Sequence, residues 1–367
     1  MAQLGELNAA LKAKNANRYQ NLMRFMIAET IGKGDRFEAH RATEWKFKAT
    51  PLVGAATKSY QDAIGTANST LVPQSLRQEI QQLMRSVTVM GQLEAYASMI
   101  PFNQRAPREQ AAAGGGWTGQ GAPLTVTDLT LDVVSLPQTK IGTIFVMDAG
   151  FVKVASPAVE ISLSNTVKAQ MSQVLDANAL DPSIAAVTDS SGVGLIASPA
   201  SLTNAGTQIS STGSSGAQIM NDLQNMIATP GALRRPVWIM SIRTAVRLAG
   251  VLTAGGQLLF PGIHALGGEL LGIPVVTTAA MPIPAASPQN TSFIVLLEAS
   301  DLLIADDGNF EIEFSTETSL QMNTTPATGG QNLTSMFQTA GVATKITQTI
   351  NWELGHTTSC VWMEAPY

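Results

Sequence analysis

The chain has 367 residues, 45% of them apolar and only 13% charged, with 22 Lys/Arg against 27 Asp/Glu. An ordinary soluble domain carries roughly 25% charged residues, so much of this surface suits contact with other protein, where interface cores are depleted in charge. The longest apolar run, Phe293 to Leu297, is far short of the roughly 18 residues that cross a bilayer, and the N-terminus lacks the pattern of a secretion signal. The single cysteine, Cys360, excludes an internal disulfide and reads as a small buried apolar group in a reducing cytoplasm.

Charge is unevenly placed. Residues 1–50 hold nine cations (Lys12, Lys14, Arg18, Arg24, Lys33, Arg36, Arg41, Lys46 and Lys48) against five acids, a net of +4 that leaves −9 for the remainder. A basic arm on an acidic body can bind an acidic neighbour or nucleic acid. Taken one by one, these charges are better explained by a solvated helix face.

In chain order, Leu4, Leu7 and Leu11, then Leu22, Phe25 and Met26, recur at near-helical spacing. Gly32, Gly34, Pro51, Gly54 and Gly65 then interrupt any long element, which predicts an extended arm over 31–70. Pro73 opens a helix over 73–86, with Leu76, Ile80, Leu83 and Met84 on one stripe. Residues 103–123 are polar and Gly-rich, and strand character follows in Leu129, Leu131, Val133 and Ile141 to Met147. We read 106–147 as a two-stranded arm. An isolated hairpin is marginal in water, so such an arm needs a neighbouring surface.

Ser156-Pro157 opens the best helix, which Asp181-Pro182 stops. Residues 183–216 are Ser-, Gly- and Thr-rich and read as a loop-bearing stretch. Ile219, Met220, Leu223, Met226 and Ile227 form a helical stripe, and Pro236 to Met240 reads as a strand. Ser241 caps a helix expected to run to about Leu252. Ile273–Thr278 and Phe293–Leu297 read as strands of a compact α/β domain. Residues 310–322 and 340–354 read as long strands forming an antiparallel pair.

Chemistry is conspicuous by its lack of motifs. Gly114-x-Gly116-x-x-Gly119 formally fits a dinucleotide fingerprint, but a polar loop precedes it and strands follow, where a strand and then a helix are required. No Walker sequence and no Gly-x-Ser-x-Gly elbow occur. His40, His264 and His356 lie far apart, without ligand spacing. Asp306-Asp307 beside Gly308 reads as a solvated turn. No cofactor, metal site or enzymatic activity is expected.

The order of segments resembles the major capsid proteins of tailed bacteriophages, the Hong Kong 97-type shell fold, over about residues 70–354. The likeness is carried by Thr70-Leu71-Val72-Pro73-Gln74-Ser75-Leu76 leading into the first helix, and by Gly116-Trp117-Thr118-Gly119-Gln120-Gly121-Ala122-Pro123 with Leu136-Pro137-Gln138-Thr139-Lys140-Ile141. It continues in Ser156-Pro157 and in Leu270-Leu271-Gly272-Ile273-Pro274-Val275-Val276 followed by Met281-Pro282. Each stretch alone is weakly specific; together and in order they are much more so.

The resemblance implies an α+β fold: an N-terminal arm (1–70), a first part of a peripheral domain (71–105), an extended loop (106–147), a spine helix (148–185), an axial domain (186–309), peripheral strands (310–354) and a return to the axial domain (355–367). It implies an icosahedral shell of pentamers and hexamers around double-stranded DNA contacted non-specifically, made in the bacterial host cytoplasm, with no membrane partner. Portal, decoration and scaffolding proteins are further expected partners. Within the loop, Trp117, Gly119, Gly121 and Pro123 are the expected inter-subunit contacts, Trp117 being the type of side chain that anchors interfaces.

Some members of that family cross-link through a loop lysine. This loop has none between Arg108 and Lys140, so non-covalent strength is expected. Residues 1–65 are short for a cleaved scaffolding segment, so an uncleaved, ordered arm is expected. The rival readings are an encapsulin-type nanocompartment shell, told apart by protein rather than DNA inside, a surface-layer or adhesin protein, and a hydrolase whose nucleophile and base are not visible.

Overall fold

The computed structural model describes residues 88–109, 117–118, 120, 131–148, 169–170, 172–188, 196–231, 233–253, 255–283, 292–323 and 332–366. The expected elements over 3–30, 31–70 and 73–86, and the start of the helix at Ser156, lie outside them. The chain divides into two compact units, one of residues 88–140, 173–306 and 350–367, the other of 1–87, 141–172 and 307–349.

The first described helix, α1 (Val89–Leu93), is capped by Thr88 and followed by the short strand β1 (Ser98–Met99). Strands β2 (Arg105–Glu109) and β3 (Leu131–Ser135) pair with each other, and β4 (Lys140–Asp148) follows. Helix α2, described over residues 172–180, stops before Asp181-Pro182 as expected. The loop-bearing stretch over 183–216 also holds short elements: β5 (Val187–Thr188), β6 (Ile196–Ser198), α3 (Leu202–Ala205) and β7 (Thr207–Ile209). They escape periodicity because none is long enough to show a repeat, and partners distant in sequence hold them. Thus β7 pairs with a strand more than 150 residues later, at Val361↔Thr207.

Helix α4 (Gly216–Ala228) starts on a capping box in which Ser215 and Gln218 satisfy each other's backbone N–H groups. Strand β8 (Pro236–Ser241) runs directly into α5 (Ile242–Ala249), because Ser241 ends the strand and caps the helix by accepting from Thr244 N–H. Helix α5 stops at Ala249, capped by Gly250, short of the expected Leu252. Leu252 instead bridges to Leu258.

Strands β9 (Ile263–His264), β10 (Gly267–Leu270), β11 (Ile273–Thr278) and β12 (Ser292–Glu298) follow, then β13 (Leu302–Ser315), β14 (Ser319–Gln321), β15 (Leu333–Ser335), β16 (Gly341–Leu354) and β17 (Cys360–Ala365).

In the first unit a seven-stranded mixed sheet runs in the order β7-β17-β12-β8-β11-β10-β9. All seven residues of β12 are buried, as a continuous apolar run in a central strand predicts. Ile294 and Leu296 join Trp238, Met240, Val275, Val361 and Met363 against Ile219, Leu223 and Met226 of α4 and Ala245 and Leu248 of α5. Trp238 is completely buried, and its indole N–H donates to the Leu270 carbonyl at 3.2 Å. Cys360 is buried at the start of β17, and burial pushes its thiol up to about 12.

In the second unit the cross-strand contacts Lys345–Glu313 (2.9 Å) and Thr347–Glu311 (3.3 Å) run in opposite sequence directions, as an antiparallel β13–β16 pair requires. A Cβ on Gly142 of β4 would stand 2.6 Å from the Thr347 methyl and 2.7 Å from the Ile346 carbonyl, so only glycine lets β4 lie this close to β16. Asp306-Asp307 is not a turn. Both lie inside β13, which starts at Leu302 and not at 310. Ladder pairing and the burial of Leu302, Ile304 and Ala305 outweigh the local turn preference of Asp-Asp-Gly, because strand propensity depends on context.

Candidate inter-subunit interface

The base of the expected loop is a five-pair antiparallel ladder, from Arg105↔Ser135 to Glu109↔Leu131. Side chains alternate along β3, so Asp132, Val134 and Leu136 share one side. Val134 and Leu136 bury themselves in a small satellite core with Ala305, flanked by Phe102 and Leu303. Val133, on the opposite side, is exposed.

The return from β3 to β4 is pinned to the end of β16. Ile350 N–H donates to the Thr139 carbonyl (3.1 Å), Thr139 Oγ1 donates to the Ile350 carbonyl, and Asn351 Nδ2 donates to the Pro137 carbonyl (2.7 Å).

Arg108, directly opposite Asp132 in the ladder, holds its carboxylate at 2.5 Å. The other arm of the guanidinium donates to the Leu354 carbonyl at 3.4 Å and lies 3.9 Å from Glu353 Oε1. A hydrogen bond from Val133 N–H, and then Arg108, hold the Asp132 carboxyl below its ordinary range, whereas burial raises that of Glu353. In the sequence Arg108 carries no sign of this role beyond bounding the lysine-free stretch. Its pairing depends on strand register, which no local pattern reveals.

Among the expected contact residues, Trp117 is fully exposed at 107% of its reference area. Thr118 is exposed as well. Gly119, Gly121 and Pro123 lie outside the described residues, as do Lys12, Lys14, Arg18, Arg24, Lys33, Arg36, Arg41, Lys46 and Lys48. A bare tryptophan is costly to hydrate and is the side chain most enriched at interface hot spots.

The buried acids of the same unit are fully engaged in structural hydrogen bonds. Asp222 accepts from Ser211 Oγ, Thr212 N–H and Thr212 Oγ1 at 2.7–2.9 Å. Glu298 accepts from the backbone N–H groups of Arg234 (2.7 Å) and Arg235 (2.8 Å) and from Ser300 Oγ (2.5 Å). Asp176 of α2 accepts from Val89 N–H at 2.9 Å and Thr278 Oγ1 at 3.1 Å, tying α1 and the end of β11 to α2, and burial lifts its pKa to about 6. His356 Nδ1 pairs with Asp301 Oδ2 at 2.9 Å, and Ser359 Oγ donates to the same oxygen. Among the described residues no group of three His, Cys, Asp or Glu is placed to hold a metal, and no helix is long and apolar enough to cross a membrane.

The described residues thus combine a mixed sheet whose buried acids are hydrogen-bonded within the fold with a hairpin base and an exposed tryptophan. The chain belongs to the phage capsid family, whose sequence profile matches residues 68–354, and its fold is the α+β capsid fold. It is 28% identical over 315 residues to the capsid polyprotein of Pseudomonas phage PAJU2, covering 83% of this chain and 43% of that protein. It is 26% identical over 275 residues to the major capsid protein of Klebsiella oxytoca phage phiKO2, covering 71% of this chain and 62% of that protein. The chain thus spans about half the length of the curated relatives it matches. A solved chain from Gordonia phage Cozz superposes with a TM-score of 0.53 at 11% identity, covering 86% of this chain and 95% of that one; at that identity the likeness speaks for the fold alone.

Proposed function

We propose that this chain is the major capsid protein of a tailed phage, assembling with copies of itself into an icosahedral shell around double-stranded DNA. In this reading residues 186–309 and 355–367 form the axial domain. Residues 71–105, 148–185 and 310–354 form the peripheral domain, and 106–147 is the extended loop. Residues 1–70 form a basic arm toward neighbours or DNA. The role is structural: strength comes from many moderate non-covalent contacts, which close a shell cooperatively. Synthesis takes place in the host cytoplasm, and portal, decoration or scaffolding proteins are further partners.

The observation that carries the reading is the full exposure of Trp117 on the segment between β2 and β3, in a chain whose family builds capsids. A neighbouring copy is the surface that would cover it. The test is negative-stain electron microscopy and sedimentation of the expressed chain beside Trp117→Asp. Closed particles from the native chain, and soluble unassembled subunits from the variant, are the expected result. Particles of native size and yield from the variant would remove the docking role. Sheets, fibres or a lone subunit from the native chain would remove the shell. Shells carrying protein and no DNA would favour the nanocompartment reading.

A further inference from the structure

The loop base is held to its unit by an apolar seam, by the hydrogen bonds of Thr139 and Pro137 to Ile350 and Asn351, and, farther out along the ribbon, by a polar clasp that rests on a single side chain, Arg108. Moving along β3 from the satellite core, Leu136 and Val134 are buried, and Asp132 is the next residue on the same side. Arg108 meets Asp132 there across the ladder. The same guanidinium reaches the Leu354 carbonyl and Glu353, the last two residues of β16. It therefore touches both strands of the hairpin and the strand on which the hairpin is seated.

We propose that Arg108 is a positioning residue for assembly: by clasping β2 and β3 to the end of β16, it sets the direction in which the extended loop leaves its own subunit toward the next copy. The inference rests on the shell reading for its purpose and on the Arg108 contacts for its mechanism.

The physical argument is one of angle. The ribbon is held at its inner end, by the buried Val134 and Leu136 and by the bonds of Thr139 and Pro137 to Ile350 and Asn351, and its outer end can swing about that seat, since apolar contact is non-directional. A planar guanidinium with donors in a fixed fork is directional. Bonded at once to Asp132 and to the backbone of Leu354, it resists the swing. A lysine could not do the same, because its compact ammonium lacks the fork. Arg108 is about three-quarters covered and its acid partners about half covered, so the cluster contributes little to overall folding stability. Its effect falls on the orientation of the loop, where a small angular error at the base displaces a distant contact such as Trp117.

The test compares full-length native protein with Arg108→Gln, Arg108→Lys and the triple exchange Arg108→Glu, Asp132→Arg, Glu353→Arg. Hydrogen exchange is followed on protein held dispersed at low concentration, thermal unfolding on the same samples, and particle closure by electron microscopy at high concentration. Arg108→Gln is expected to speed exchange in 105–109 and 131–135 by about fivefold, the scale of a lost partly exposed ion pair. It should leave unfolding of the seven-stranded sheet unit in place and yield open or misshapen assemblies. Arg108→Lys should behave like Arg108→Gln, and the triple exchange should recover much of the native exchange pattern and closure.

Native exchange and native closure in Arg108→Gln would overturn the proposal. So would a general loss of protection across the seven-stranded sheet, which would make Arg108 an ordinary fold-stabilising residue. Full function in Arg108→Lys would refute the fork geometry. If the native chain forms no particles, the shell reading fails while the exchange measurement still decides whether the clasp exists.

Discussion

The seven-stranded sheet and the hairpin of β2 and β3 follow opposite rules. In the sheet, β12 buries every residue, α4 and α5 cover the same apolar face, and Asp222 and Glu298 find their donors within the unit. In the hairpin, five ladder pairs and two buried side chains support a segment whose tryptophan lies bare. The sheet region buries its apolar face within its own unit, whereas the hairpin region carries a large apolar side chain with none of its surface covered.

That contrast can be broken or sharpened in four ways. The largest effect is expected in the sheet. Trp238→Ala removes a fully buried indole and leaves the Leu270 carbonyl without its donor, and should cost about 3–5 kcal/mol by chemical denaturation. A loss comparable to that of a surface substitution would show that the sheet is not the stabilising core.

Next comes Asp176. Its folded pKa of about 6 stands above the ordinary 3.8, so the native state holds this proton more tightly than the unfolded chain does. The stabilisation is therefore present at low pH and is lost as pH rises through about 6, by about 3 kcal/mol in all. Asp176→Asn keeps a hydrogen-bonding group beside Val89 and Thr278 and removes the titration. The native-minus-variant difference between about pH 4 and about pH 8 should shrink accordingly, as read from urea midpoints at each pH. Identical pH dependence in the two proteins would exclude Asp176 as its source.

Leu136→Ala, in the satellite core, should cost about 2 kcal/mol, the lower end for a buried leucine, and should show first as faster exchange in β2 and β3. A cost as large as that of Trp238→Ala would erase the distinction between the two regions.

The smallest effect on folding is expected at Trp117. Trp117→Asp should leave the unfolding free energy within about 0.5 kcal/mol while abolishing particle closure. A subunit destabilised by much more than that would mean the loop already packs on its own body.

How much of this was legible in the sequence follows from which interactions are local. The stop of α2 at Asp181-Pro182, the apolar stripe of α4, the cap at Ser241 and the strands Ile273–Thr278 and Phe293–Leu297 were all readable. Each depends on spacing or capping chemistry within a few residues of itself. The exposure of Trp117 agreed with its place in a Gly-rich stretch. The short elements between 183 and 216, and the strand running through Asp306-Asp307, were not readable. Local composition there favours turns, and pairing with distant strands decides otherwise.

The amino-acid sequence by itself therefore determined a low-charge, cysteine-poor chain with capped helices, apolar strands and the ordered segments of a phage capsid protein, because these are properties of neighbours along the chain. Tertiary structure alone decided that Arg108 meets Asp132, Glu353 and Leu354, and that Asp176 holds α1 and β11 to α2. Register and packing bring together groups 24 to 246 residues apart, and no periodicity within one segment carries that information.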